Sequence, residues 1–490
     1  MKTGWTSTNT TTPQNISMRN RIIIIATVLV VIATGCYKDK GNYDYNAPEE
    51  PIITNLDTVY SVFVGDSLII KPAVAYTNPA MLRFDWKIAI PELLSDLSFK
   101  GPEVRTVYGL GANRYQARLT ITDSSNGMKY FYKFVVSGKT AFSQGTAVLS
   151  VDNGETKLSF IKPDGTVQPN IYEAANLGAR LGGKPKQLIG LRHASIQPFH
   201  TTSYWVITDE GDKGVQINSN TMKKIKTLAG NFFTPLATIT PGSFIGTQQE
   251  SMNGVINGKL YVGTTQTWNL NPLYGMYGLP AEGDYNLFDQ AAFNSVMPYF
   301  LGYDKVKKQV VAFTNFGSPA YIGTGYTAVG DTFDLRKVGL DLLYFVQVND
   351  GNCFALGKDA NGNLKEIKFG AAFMGFIQLR AEYIRNFSQP ALITPTTKWA
   401  WSPSEIFYFT SGDKVYRYNP TNEDIRPLTT DFGGKAVTMI KLIDGGNTML
   451  AGTEGTLYHL DVSTGKFGDV IKKQVGIPGQ TIDAVIRNDQ

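Results

Sequence analysis

Residues 83–88 alternate strictly, with Phe84, Trp86 and Ile88 on one side and Arg83, Asp85 and Lys87 on the other. The same period of two runs through residues 115–122, where Tyr115, Ala117, Leu119 and Ile121 oppose Gln116, Arg118, Thr120 and Thr122. Successive side chains of a strand point to opposite faces, so this pattern predicts half-buried strands. Turn residues divide the apolar runs of "VFVGDSLII" and "TDSSNGMKYF", as hairpins require. Between Ile52 and Val136 the pattern predicts about seven short strands, enough for a small sandwich with Trp86 in its core.

From about Gly138 onward the chain still reads as strands, but the pattern repeats. "FTSGDKVYRYNPTNEDI" (409–425) aligns without a gap on "AGTEGTLYHLDVSTGKF" (451–467), pairing Tyr416 with Tyr458, Thr421 with Ser463 and Ile425 with Phe467. Looser copies are "AVLSVDNGETKLSFIKPDGTV", "YWVITDEGDKGVQINSNTMKKI", "GVINGKLYVGTTQTW", "YFLGYDKVKKQVVAFTNFG" and "LYFVQVNDGNCFALGKDANGNLKEI". About seven units of roughly 40–50 residues have the period of propeller blades. Blades stacked around a channel bury faces that a single blade cannot. Residues 481–487 are expected to close the ring by pairing with the first blade. The small and polar residues of "VVSGKTAFSQGT" predict an exposed linker before it. The expected fold is thus all-β, an Ig-like sandwich over 52–138 followed by a β-propeller over 139–490.

The amino-terminal pattern is different. Arg19 and Arg21 precede an apolar run, Ile22 to Ile32, interrupted only by Thr27 and followed by Ala33, Thr34, Gly35 and Cys36. The run is far shorter than the ~20 residues that span a bilayer, and it has the length and basic flank of a secretory signal. Its end resembles a bacterial lipobox, in which Cys36 is acylated and becomes the mature terminus. Residues 1–35 are therefore expected to be a signal peptide, with Met18 its true start, and 36–51 a lipidated tether. Acyl chains on Cys36 would anchor the chain to a membrane.

Removing residues 1–35 takes away Lys2, Arg19 and Arg21 and no acid, so the formal charge falls from +5 to +2. No Lys/Arg cluster of the kind that binds nucleic acid remains. Lipidation of Cys36 leaves Cys353 as the single thiol, which reads as a buried apolar residue. Aromatics at 12%, 49 glycines and only 18% charged residues suit many short strands joined by tight turns.

Candidate chemistry is sparse. The three histidines are His193, His200 and His459, and none has the neighbours of a metal site. "DANGN" (359–363) begins like a Ca²⁺ loop but has Leu364 where glycine is required, so an Asn-Gly turn explains it. "DEGD" (209–212) reads as a blade turn. No phosphate loop or nucleophile elbow is present, and no metal or cofactor is expected. The irregular stretch 267–304 breaks the blade rhythm with Trp268, Tyr274, Tyr277, Tyr285, Phe288 and Tyr299 and few charges. Phe288, Ala292 and Val296 have the spacing of one face of a short helix. Two readings stand: packing on the propeller rim, or a ligand or partner platform, since interfaces favour exposed Tyr and Trp. Trp399 and Trp401 share a strand face, where core packing is expected.

The segment "CYKDKGNYDY" (36–45), with "GGKPKQLIG" and "VITDEGDKGVQIN" further on, resembles the PKD-like lipoproteins of Bacteroidetes. The resemblance implies an Ig-like domain after a lipidated cysteine, then a β-rich region. It also implies an outer-membrane setting, exposed at the cell surface, beside a TonB-dependent transporter of the SusC type and its SusD-type lipoprotein. It carries over no catalytic residue. The expected role is an accessory lipoprotein that binds a glycan or peptide substrate or docks on the importer. The alternative is a surface hydrolase with its site in the propeller channel.

Overall fold

The computed structural model describes residues 48–490 apart from 193–200, 266–272, 294–297, Gly317 and 489–490. The signal, Cys36, His193, His200, Trp268 and Val296 lie outside the described residues.

Alternation at residues 82–123 builds the first unit. A five-stranded sheet runs in the order Val59–Phe63, Lys129–Lys139, Arg114–Asp123, Leu82–Ile90, Ser95–Lys100, with the first pair parallel and the rest antiparallel. Two short ladders join it, Ile52–Thr54 with Ala73–Ala75 and Ser67–Ile70 with Val104–Val107. Trp86, Ile88, Tyr115, Leu119 and Ile121 fill the shared core, as their spacing predicts, while Asp85 and Lys87 stay exposed. Trp86 meets Phe134 edge-on, and its indole N–H donates to the Gly101 carbonyl at 2.8 Å, so the buried ring leaves no polar atom unpaired.

Strand Lys129–Lys139 passes to Gln144–Asp152 through only Thr140–Ser143. The sequence predicts an exposed linker there, but the structure ties this turn down. The Thr140 amide donates to Ser143 Oγ at 2.8 Å, Ser143 is buried, and Phe142 packs edge-on against Phe160 of the next unit. One aromatic in a polar stretch found a core to enter.

Among the described residues the remainder forms a ring of seven blades, whose main strands meander antiparallel outward from its axis. Strand Gln144–Asp152, followed by Glu155–Ile161 and Val167–Gln168, forms the outer part of blade 1. Blade 2 comprises Pro185–Leu191, Ser203–Thr208, Gly214–Asn218 and Lys224–Thr227, and blade 3 comprises Pro241–Gly246, Met252–Ile256 and Lys259–Tyr261. Blade 4 runs Ala292–Phe293, Tyr299–Asp304, Gln309–Asn315 and Pro319–Gly323; blade 5 runs Asp341–Gln347, Asn352–Lys358, Leu364–Phe373 and Ile377–Asn386. Blade 6 is Trp399–Trp401, Phe407–Ser411, Lys414–Asn419 and Asp424–Pro427. In blade 7, Thr448–Asp461 pairs first with Met439–Ile443 and then with the start of Asp469–Asn488. The end of that last strand pairs with Gln144–Asp152 of blade 1, Ala484 opposite Val148, so residues 480–488 supply its innermost strand. The closing strand expected at 481–487 is there.

Packing explains why the blade strands lack the alternation of the sandwich. Leu188, Tyr204 and Val206 enter a core shared with blade 1, while Ile189, Trp205 and Ile207 enter one shared with blade 3. A strand covered on both faces reads as a continuous apolar run, as "YWVI" does. Such shared cores follow between blades 3 and 4, 4 and 5, 5 and 6, and 6 and 7. A last core joins Met439, Leu450 and Leu457 of blade 7 to Val148, Ile161 and Ala484 of blade 1, which closes the ring.

Side chains of the innermost strands add polar bridges around the axis. Gln187 of blade 2 accepts the Phe244 amide of blade 3 and donates to its carbonyl, at 2.9 and 3.1 Å. Gln290 accepts the Phe345 amide at 3.0 Å. Asp483 accepts from Leu188 of blade 2 and from Lys441 of blade 7. Each bridge pays the desolvation of a buried amide with a geometrically fixed partner.

Candidate functional site

The aromatics of the irregular stretch are placed as follows. Tyr277, Tyr285 and Tyr299 are buried. Tyr277 packs with Phe232 and Tyr261 between blades 2 and 3. Tyr285 sits between blades 3 and 4 under Lys259, whose ammonium lies 4.1 Å from the ring centre, and its hydroxyl donates to the Ala281 carbonyl. Burial pushes that hydroxyl's pKa up to about 12. Tyr299 accepts from Gln347 at 3.0 Å, and Phe288 packs half-buried against the core of blades 4 and 5. These rings fill interblade seams and offer no exposed platform. Tyr274 keeps part of its surface in solvent, with its hydroxyl on the Gln249 carbonyl. The short helix expected around Phe288 and Ala292 is replaced by strand Ala292–Phe293, which pairs with Phe300 and Leu301. Edge pairing and Phe293–Phe300 ring contact outweigh the weak helical spacing. Trp399 stacks on Tyr344 within the seam of blades 5 and 6, whereas Trp401 is more exposed.

Among the described residues, no three His, Cys, Asp or Glu side chains are placed to hold a metal ion, and no helix is long and apolar enough to cross a membrane. Cys353 is buried, and burial pushes its thiol pKa far above the usual range. Glu366 is a deeply buried carboxylate, at 1% side-chain exposure. Burial raises its pKa, opposed by hydrogen bonds from Tyr383 and Tyr418 and by Arg385. A shifted carboxylate is a functional candidate in principle. Here both oxygens are engaged, and the cluster clips blade 5 to blade 6.

A polar cleft of about 340 Å³ opens between blades 6 and 7, within the size range of small-molecule sites. Its floor follows from strand register. Tyr408, Arg417 and Arg426 lie directly opposite one another on three neighbouring strands of blade 6. They therefore share one face, and Tyr408 fixes which: it is buried in the core shared with blade 7. Burial raises the Tyr408 pKa, with Arg417 beside it acting the other way. Walls come from turns: Ser402 and Ser404, Asn419 and Asn422, Gly445–Asn447 as residues 445–447, and Ser463, Lys466 and Phe467. The turns use particular atoms. Asn419 Oδ1 accepts the Thr421 amide and Asn422 Oδ1 accepts the Asp424 amide, which leaves the two side-chain NH₂ groups as donors. Asp424 pairs with Arg426 and Asp469 with Lys466, while no carboxylate among the described residues pairs with Arg417. Sequence reading aligned these two blades yet passed over the cleft, because Arg417 and Arg426 are nine positions apart and meet only through the turn between them.

Comparison with known proteins agrees with the amino-terminal part of this description. Residues 36–185 match the profile of the PKD-like family. The match spans the sandwich and the outer strands of blade 1. No curated protein matches the chain. A quinonprotein alcohol dehydrogenase-like protein from Bacteroides thetaiotaomicron is similar over 88% of this chain and 96% of its own, at 16% identity and a TM-score of 0.42. The dihydro-heme d1 dehydrogenase NirN, solved in complex with DHE, is similar over 77% of this chain and 74% of its own, at 11% identity and a TM-score of 0.36. Neither likeness carries an activity over to this chain.

Proposed function

We propose that this chain is a lipid-anchored accessory protein of an outer-membrane nutrient importer, which binds polar cargo without transforming it. The observation that carries the reading is the cleft of blades 6 and 7, an open recess lined by hydroxyl, amide and guanidinium groups. Such groups fix a ligand through directed hydrogen bonds, and a rigid ring holds them in place. The setting is supported by the apolar run 22–32 that precedes Cys36 and by the PKD-like match that begins at Cys36. The cell surface and a TonB-dependent transporter with its SusD-type lipoprotein are the partners this reading names.

The test is fractionation and affinity capture from the native envelope. Wild-type protein should sediment with outer membranes and bring down a β-barrel transporter, and Cys36→Ala should release it to the soluble fraction. Persistent membrane association of Cys36→Ala, or capture of no envelope protein by the wild type, would sink the proposal.

A further inference from the structure

We infer that the cleft between blades 6 and 7 recognises an anionic saccharide, its carboxylate or sulfate held by Arg417. This deepens the proposed binding role and rests on it. The argument starts from a local cost. Arg417 and Arg426 are direct cross-strand neighbours, and like charges in that register destabilise a sheet. Asp424 offsets Arg426 alone. Lys466 on the opposite wall is paired with Asp469, so Arg417 is the cation of the cleft lining that has no carboxylate partner among the described residues. Arg417 is half-buried on the floor, where water screens its charge less than at the surface. An oxyanion between the two guanidiniums would remove the repulsion and form charge-assisted, fork-shaped hydrogen bonds.

The rest of the lining sets the remainder of the ligand. The side-chain NH₂ groups of Asn419 and Asn422 line the same cleft as the two arginines, donors suited to a molecule carrying many hydroxyls. Phe467, 40% exposed on the rim, offers a flat apolar face for a sugar ring. At about 340 Å³ the space fits one or two sugar rings of a longer chain.

Calorimetry on full-length protein in detergent should use five probes: trigalacturonate, a sulfated neutral trisaccharide, the unsulfated trisaccharide, inorganic sulfate and triaspartate. Trigalacturonate or the sulfated sugar should bind, which distinguishes a carboxylate from a sulfate source, with affinity falling as salt rises. R417Q should weaken that binding at least tenfold, and R426Q, at a more exposed position, should weaken it less. Without ligand, R417Q should melt no lower than wild type, since it relieves the repulsion. Equal binding of the unsulfated sugar by wild type and R417Q would overturn the inference while leaving a binding role intact. Tighter binding of triaspartate, or of bare sulfate, would overturn the saccharide class. Silence towards all five probes would remove the cleft as a site, whereas the transporter capture would still report on the proposed function.

Discussion

The carboxylate of Asp483 accepts the backbone N–H of Leu188 at 2.9 Å, across 295 positions of sequence. Its other oxygen takes the Lys441 ammonium. One side chain of the last strand therefore binds blades 1, 2 and 7 together at the axis. Arg487, buried on the same strand, reinforces the closure by donating to the Ser219 carbonyl and to Asn220.

Replacing Asp483 by Ala should strand both the Leu188 amide and Lys441. Lost charge-assisted bonds and an unpaired buried donor together cost about 2–3 kcal/mol. Urea unfolding followed by tryptophan fluorescence should show that loss, with Asp483→Asn retaining part of it because the amide still offers an acceptor. An unchanged midpoint for Asp483→Ala would mean that the interblade cores alone close the ring.

The sandwich has its own core, so a lesion there should leave the ring standing. Trp86 is 1% exposed and carries both the Phe134 contact and the bond to Gly101. Trp86→Ala should cost about 3–5 kcal/mol. Proteolysis should then degrade the segment before Thr140 and leave a protected fragment that begins near Gln144. Loss of protection throughout the chain would show that the two cores unfold as one.

How legible these features were depended on where each residue's partners lie. Trp86 alternates with charged neighbours and faces one core, so period two revealed it. The blade repeat was equally legible, because strand and turn recur together at 409–425 and 451–467. Arg417 was not, since its importance arises from register with Arg426 and from the wall contributed by blade 7. Tyr277 misled in the opposite sense. An aromatic in an irregular, charge-poor stretch looks available, yet Phe232 and Tyr261 enclose it between blades.

That enclosure makes a prediction. Tyr277→Ala should destabilise the ring by about 3–5 kcal/mol through the cavity it leaves. Tyr274→Ala, at a half-buried position with one bond to the Gln249 carbonyl, should cost no more than about 1 kcal/mol. Thermal melts of the two variants separate packing from display. Equal, small effects would restore the stretch as a candidate platform.

The final prediction uses the blade alignment, in which His459 of blade 7 occupies the place of Arg417 in blade 6. His459 is partly buried, with its Nε2 3.1 Å from Gln474 Oε1. Burial lowers its pKa below the ordinary 6.5, the Gln474 bond and nearby Asp444 opposing and Lys472 adding to the shift. The folded chain thus holds this ring neutral at pH values where the unfolded chain protonates it. Below 6.5 the unfolded state binds the extra proton, so stability falls with pH until the folded pKa is reached, and it is fully present above 6.5. His459→Gln keeps a hydrogen-bonding partner for Gln474 and cannot titrate. The difference in unfolding free energy between wild type and His459→Gln should be flat above pH 7 and shift against the wild type as pH falls from 6.5. A difference that stays constant down to pH 5 would show that the ring is protonated as readily in the fold as outside it.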